Sequence, residues 1–238
     1  MVLILALDTS DSRGSVAVLR DDAVLGSLPH ESSDDYSSWL LPAVAHVLGE
    51  ARLTLADVDL FAVSAGPGSF TGLRVGLTTV KAWAEVYARP AVGVSRLEAI
   101  AEQLPSASEW LAACFDARRE QVFGGLFHRT AAGLVLVGEE SVIAPQEFLE
   151  SVSKQAKCAV SWISLDPQVL TNLPGWPARA ALGESVIAAD PLLSPTIAHL
   201  AARAAAQGRS VDALALDANY VRRSDAEIFW KGNAAHGR

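Results

Sequence analysis

Ala65-Gly66-Pro67-Gly68-Ser69-Phe70-Thr71-Gly72-Leu73-Arg74-Val75-Gly76 follows the apolar run Leu60-Phe61-Ala62-Val63 and leads into Leu77-Thr78-Thr79-Val80-Lys81-Ala82-Trp83-Ala84. The stretch reads as strand, glycine-rich turn, helix. Gly66, Gly68 and Gly72 reach backbone angles that a Cβ bars and allow a ligand or another backbone to approach closely. Pro67, Ser69 and Thr71 complete the turn, and unpaired N–H groups at the start of the following helix attract anions. No Gly-Lys-Ser/Thr closes the loop and no G-x-G-x-x-G is present, so neither a Walker loop nor a dinucleotide fingerprint applies. A binding loop and a plain tight connection both remain open.

Upstream, Leu3–Leu7 is a continuous apolar run, as in a strand buried on both faces. Two further strands follow at Ser15–Leu19 and Ala23–Leu28, with turns at Asp11–Gly14 and Asp21-Asp22. Leu40, Val44, Val47, Leu48 and Ala51 share one helical face, with Ser37 or Ser38 as cap and Pro42 in the first turn. Downstream, Pro90 restarts a strand at Ala91–Val94, and Ser95 caps a helix from Arg96 to Leu104. Pro105-Ser106-Ala107-Ser108 is the best boundary. Beyond it lie strands at Leu111–Phe115, Gln121–Phe127 and Val135–Val142, and a short helix at Pro145–Ser153. Prolines punctuate 164–195, where little regular structure is expected. A helix capped by Ser194 and opened by Pro195 runs to Gly208. The order β-β-β-α-β-α-β-α predicts an α/β fold, a mixed sheet with helices on its faces.

The chain has 238 residues, 50% hydrophobic and 19% charged, with a net charge of -8. The length suits one or two domains with a substantial core. The acidity argues against an RNA grip by this chain alone, although Arg222, Arg223, Lys231 and Arg238 gather late. Cys114 and Cys158 form no C-x-x-C pair, which points to free thiols in a reducing compartment. The opening run is too short for a membrane span and lacks the positive start of a signal peptide, so the expectation is a cytoplasmic protein without a membrane partner.

The strings LALDTS, GPGSFTGLRVG, GVSRLEAIA and FDARREQVF, in that order from residue 3 to about 124, resemble the TsaB (YeaZ) family. Leu216–Arg223 resembles that family's closing strand. The resemblance implies the actin/Hsp70/sugar-kinase-like (ASKHA) fold: a first lobe over 1–105, a reduced second lobe over 106–194, a helix at 195–208 returning to the first lobe, and a C-terminal strand and tail over 209–238. It also implies a non-catalytic, glycoprotease-like subunit of the machinery that makes threonylcarbamoyladenosine in tRNA. The implied partners are a TsaD-like catalytic subunit and a TsaE-like ATPase, with self-association when alone and tRNA met only through the complex. ATP and magnesium serve the complex, and none is expected on this chain.

By the same resemblance, the helices after residues 37 and 71 form the docking surface, with Leu40, Leu41, Val44, Val47, Leu73, Val80 and Trp83 as candidates. Much of that aliphatic bulk must also be core. Tyr36 stands where family members often carry a histidine. Asp8, Thr9 and Gly14, with Asp116 and Arg118 in the second lobe, occupy positions that face nucleotide phosphates in actin-like ATPases. Asp8 is suited either to hold hydrated magnesium or to satisfy turn amides. The H-x-x-x-H metal pair of the catalytic paralogue has no counterpart in Val94–Glu102, and the five histidines show no ligand spacing. A metallopeptidase therefore lacks its ligands, which leaves the accessory subunit and, as the alternative, a free-standing ATP-binding enzyme.

Overall fold

The computed structural model describes residues 1–31, 34–105, 107–156 and 158–221. The first lobe comprises β1 (Leu3–Asp8), β2 (Ser15–Arg20), β3 (Ala23–Pro29), α1 (Tyr36–Glu50), β4 (Leu60–Gly66), α2 (Phe70–Tyr87), β5 (Ala91–Ser95) and α3 (Arg96–Glu102). Its sheet order is β3-β2-β1-β4-β5. β2 pairs antiparallel with both β1 and β3, and β4 runs parallel to β1 and β5. β1 is buried along its whole length because both faces of the sheet are covered. Leu3, Leu5 and Leu7 pack with Val16 and Val18 under α1 and α2. Ile4 and Ala6 point the other way, towards α3.

The second lobe comprises β6 (Trp110–Arg118), β7 (Gln121–Thr130), β8 (Gly133–Ile143), α4 (Pro145–Gln155), β9 (Val160–Ser164), α5 (Gln168–Thr171), α6 (Trp176–Ala180) and β10 (Val186–Ala188). Read from β8, its sheet runs β8-β7-β6-β9-β10, with two antiparallel hairpins followed by two parallel neighbours. The second lobe thus repeats the topology of the first, a repeat that the sequence itself does not display. Its reduction falls on the helices: α5 and α6 have four and five residues, where α2 has eighteen. Pro167 and Pro177 stand at the starts of α5 and α6, where proline is tolerated, and Pro174 lies in the turn between them.

The last helix, α7 (Ser194–Ala206), lies against β1, β2, β4, β5 and α3. Ile197, Ala198, Leu200, Ala201 and Ala204 join Ile4 and Ala6 of one sheet to Leu111, Ala113 and Phe115 of the other in a single core. Fully burying each larger aliphatic side chain contributes roughly 1.5–3 kcal/mol.

Two local expectations shift. Asp35 occupies the N-cap position of α1, so Pro42 sits inside the helix rather than in its first turn. Ser194 is the first residue of α7 rather than its cap, and its N–H donates to Ser15 Oγ at 3.1 Å. Over 209–221 the described chain pairs with the sheet through one bridge, Ala91 with Val211. Leu216–Val221, where a closing strand was expected, form no strand; Asn219 N donates to the Ala65 carbonyl at 2.7 Å, a single backbone bond that holds this segment beside β4 without a ladder. Arg222, Arg223, Lys231 and Arg238 lie outside the described residues.

Candidate functional site: a filled interlobe cleft and an apolar helical groove

The loop from Asp8 to Gly14 meets the glycine-rich turn directly. Ser69 N donates to the Ser10 carbonyl at 2.7 Å, and Thr9 Oγ1 donates to the Gly72 carbonyl at 2.8 Å. A Cβ on Gly68 would lie 2.2 Å from the Ser10 carbonyl oxygen, and one on Gly72 would lie 2.0 Å from that of Thr9. Both distances are far inside contact, so these glycines serve the approach of one backbone to another. Gly66 and Pro67 are buried where β4 ends, and the peptide between them is cis. Ser69 caps α2 by accepting from Gly72 N, leaving Thr71 exposed on its first turn.

Asp8 is fully buried. Its Oδ1 accepts from Ser10 N at 3.0 Å and from the Ser10 hydroxyl, and its Oδ2 accepts from Arg96 Nε at 3.3 Å. Arg96, the first residue of α3, is also completely buried, and its guanidinium lies 4.6 Å from the centroid of the Phe115 ring in the second lobe. Arg96 Nη1 approaches Asp11 Oδ2 to 3.1 Å without hydrogen-bond geometry, and Nη2 has no hydrogen-bond partner. Arg13 completes the cleft. It pairs with Asp11 and reaches across to Asp166 at 2.9 Å and to the Leu165 carbonyl at 3.1 Å. Asp166 in turn accepts from Asp116 N at 2.9 Å. Burial alone would raise the Asp11 carboxyl, but Arg96 and Arg13 outweigh it and hold the group well below its ordinary value of 3.8.

The expected phosphate-facing residues therefore form a self-satisfied cluster. Thr9 is buried, and the Gly14 carbonyl accepts from His30 N at 2.8 Å. Asp116 is half-buried, whereas Arg118 is exposed and folds back on it at 3.3 Å. Arg118, Arg119 and Glu120 turn the β6–β7 hairpin through three successive left-handed conformations. A magnesium ion or nucleotide phosphate at Asp8 would have to displace Arg96, so the residues present do not fit that group. Among the described residues, no grouping of three or more His, Cys, Asp or Glu is arranged to hold a metal ion.

The helical surface requires a correction. Leu40, Val44, Val47, Leu73 and Val80 are buried in the core against β1, β2 and β4, so they are not available to a partner. Trp83 is half-buried, 5.8 Å from the Phe61 ring. Of the expected residues, Leu41 faces outward, at 57% exposure. It lines a groove of about 400 Å³ between α1 and α2 with Tyr36, Ser37, Arg74, Val75, Thr78 and Thr79, and with the buried Leu40 at its floor. Tyr36 donates its hydroxyl to the Asp11 carbonyl, and burial pushes its phenol up from the ordinary value of 10.0. Its ring packs 4.5 Å from His30 and 5.8 Å from Trp39. Sequence reasoning gave no role to Arg96, Arg13 or Asp166. The one available signal was Arg96, a lone cation in the otherwise apolar run Val94–Ala101, apart from Ser95 and Glu98.

Two lobes with the same 3-2-1-4-5 sheet order, packed about a cleft between their β1-type loops, define a protein of the actin/Hsp70/sugar-kinase class. A family model described as "TsaD: tRNA N6-adenosine threonylcarbamoyltransferase" matches residues 18–227. The chain is similar to the tRNA threonylcarbamoyladenosine biosynthesis protein TsaB of Bacillus subtilis (strain 168), at 32% identity over 64% of this chain and 66% of the relative. It is also similar to the TsaB of Escherichia coli (strain K12), at 27% identity over 96% of both. The solved structure of YeaZ from Pseudomonas aeruginosa superposes with a TM-score of 0.74 at 29% identity, covering 92% of this chain and all of that one. The chain belongs to the TsaB (YeaZ) family, within the broader family that this model describes. It spans just under two thirds of the Bacillus relative's length.

Proposed function

We propose that this chain acts in tRNA threonylcarbamoyladenosine biosynthesis as a non-catalytic subunit that docks a TsaD-like catalytic partner on the α1–α2 groove. The observation that carries this reading is the groove itself. Leu41 and Val75 line an apolar trough on a lobe whose core is already complete beneath it. The family relationship supports the process, since the Bacillus and Escherichia relatives are named for this pathway. The self-paired interlobe cluster favours an accessory role over a free-standing ATP-binding enzyme, because the carboxylates that such an enzyme needs are engaged by Arg96 and Arg13. In this reading ATP and magnesium serve the complex, a TsaE-like ATPase joins it, tRNA is met through it, and a second copy of the chain covers the groove when the partner is absent.

The test is tRNA threonylcarbamoylation by the reconstituted partner proteins with and without this chain. Modification that requires this chain, and that fails with Leu41→Glu although the variant is folded, supports the proposal. Modification that proceeds equally without the chain, or with Leu41→Glu, refutes it.

A further inference from the structure

We propose that the chain's own C-terminal segment, from Arg222 onward, docks in an acidic pocket between β8 and the start of α3 and straps the two lobes together. The pocket, of about 560 Å³, shares no lining residue with the α1–α2 groove. Phe127, Leu134 and Leu136 give it an apolar wall, and Glu98, Glu139 and Glu140 give it a negative rim. Glu140 ties three parts of the chain: it accepts from the Ser95 hydroxyl of the first lobe and from Asn219 Nδ2 beyond α7. Glu98 is half-buried, and its carboxylate has no hydrogen bond or ion pair among the described residues. Two cations that act on it, Arg203 and Arg209, are bonded elsewhere, to Glu102 and Gln207. Burial pushes the Glu98 and Glu140 carboxyls above their ordinary value of 4.5, so both gain from a cation brought alongside.

The chain delivers this occupant to the spot. Asn219, Tyr220 and Val221 already line the pocket, and Val221 packs with Leu134 on the interlobe core. Arg222 and Arg223 follow at once, and each residue adds at most about 3.6 Å, so both side chains start at the pocket's edge. The segment 222–238 carries Arg222, Arg223, Lys231 and Arg238 against Asp225 and Glu227, a net positive stretch on a chain whose total charge is -8. Its charge is opposite to that of the rim. Arginine suits the site because its planar guanidinium offers several donors to neighbouring carboxylates. Further on, Ile228-Phe229-Trp230 is an apolar run in an otherwise polar segment. Seven residues reach up to about 25 Å, enough to return that run to the apolar wall. Cover is needed there: β8 is the outermost strand of its sheet, with Val135 at 51% and Leu136 at 37% exposure.

The experiment is amide hydrogen exchange of residues 222–231 in the full chain, read by mass spectrometry against a synthetic peptide of the same sequence. In wild type these amides should exchange at least about tenfold more slowly than in the peptide. The protection should fall to near the peptide's rate in Glu98→Gln/Glu139→Gln, which keeps the pocket's shape and removes two of its charges. Arg222→Ser/Arg223→Ser, measured against a peptide of its own sequence, should lose it as well. The arginine variant carries the test should the carboxylate variant fail to fold. Peptide-rate exchange of 222–231 in wild type overturns the inference, as does protection that the arginine variant retains in full. If residues 134–140 gain protection only when the TsaD-like partner is added, with 222–231 still exchanging freely, the pocket belongs to that partner and the inference is likewise overturned.

Discussion

Leu40 and Leu41 are adjacent in α1 and both border the groove, but Leu40 forms its buried floor at 1% exposure and Leu41 stands out from it at 57%. Replacing each by glutamate separates stability from docking. At position 40 the loss of a fully buried leucine removes about 2–3 kcal/mol of transfer free energy. The carboxylate then adds several kcal/mol, because nothing among Val16, Val18, Val44 and Val63 in the same core compensates it. A total above about 4 kcal/mol is comparable with the whole stability of a domain, so Leu40→Glu should be largely unfolded at 25 °C. At position 41 the side chain is mostly in water, and the change should stay within about 0.5 kcal/mol. Docking reverses the order. A partner covering the groove would bury the new carboxylate, which costs about 3–4 kcal/mol, or roughly 10²–10³ in affinity. Urea unfolding followed by circular dichroism, and calorimetric titration with the catalytic partner, measure the two quantities. A folded Leu41→Glu that binds as tightly as wild type would refute the docking assignment. A folded Leu40→Glu would refute the burial argument.

Other consequences are direct. Asp8→Ala should cost about 3–5 kcal/mol, since it strands part of the charge of a fully buried arginine; a loss near 1 kcal/mol in chemical denaturation would show that Arg96 does not depend on Asp8. Because the Asp11 carboxyl is depressed in the fold, its contribution is complete above its ordinary value of 3.8 and is lost as pH falls below that value. Arg13→Ala, which removes one of the depressing cations, should therefore narrow the stability difference between pH 5 and pH 3, and an unchanged acid limb in equilibrium unfolding would contradict this. Cys158 is exposed, whereas Cys114 is buried with its thiol pushed up to about 12, so iodoacetamide at pH 8 should label one thiol per native chain by mass spectrometry. Rapid labelling of both would show that the second sheet opens.

The fold was largely legible in the residues. The continuous apolar β1, the glycine-rich turn into α2 and the Ser95-capped α3 carry strong local signals, and each forms near its expected place. The turn's chemistry was not legible, because only the fold brings Thr9 and Ser10 onto Gly72 and Gly68. Helical periodicity on α1 and α2 could not assign Leu41 to water and Leu40 to the core, since apolar residues are present on more than one face. The cleft was hidden by sequence distance. Arg96 meets a carboxylate 88 residues earlier, and Arg13 meets one 153 residues later, within the proline-punctuated stretch where little order was expected. The repeat between the lobes lives in strand order alone, which no residue pattern displays.

The central claim, that a partner docks on the groove between α1 and α2, is tested most directly by hydrogen exchange of this chain with and without the TsaD-like catalytic subunit. The account predicts new protection concentrated in residues 36–50 and 70–87, with the loops at 8–14 and 116–121 little changed. Protection centred on those interlobe loops, with the two helices unaffected, would contradict it.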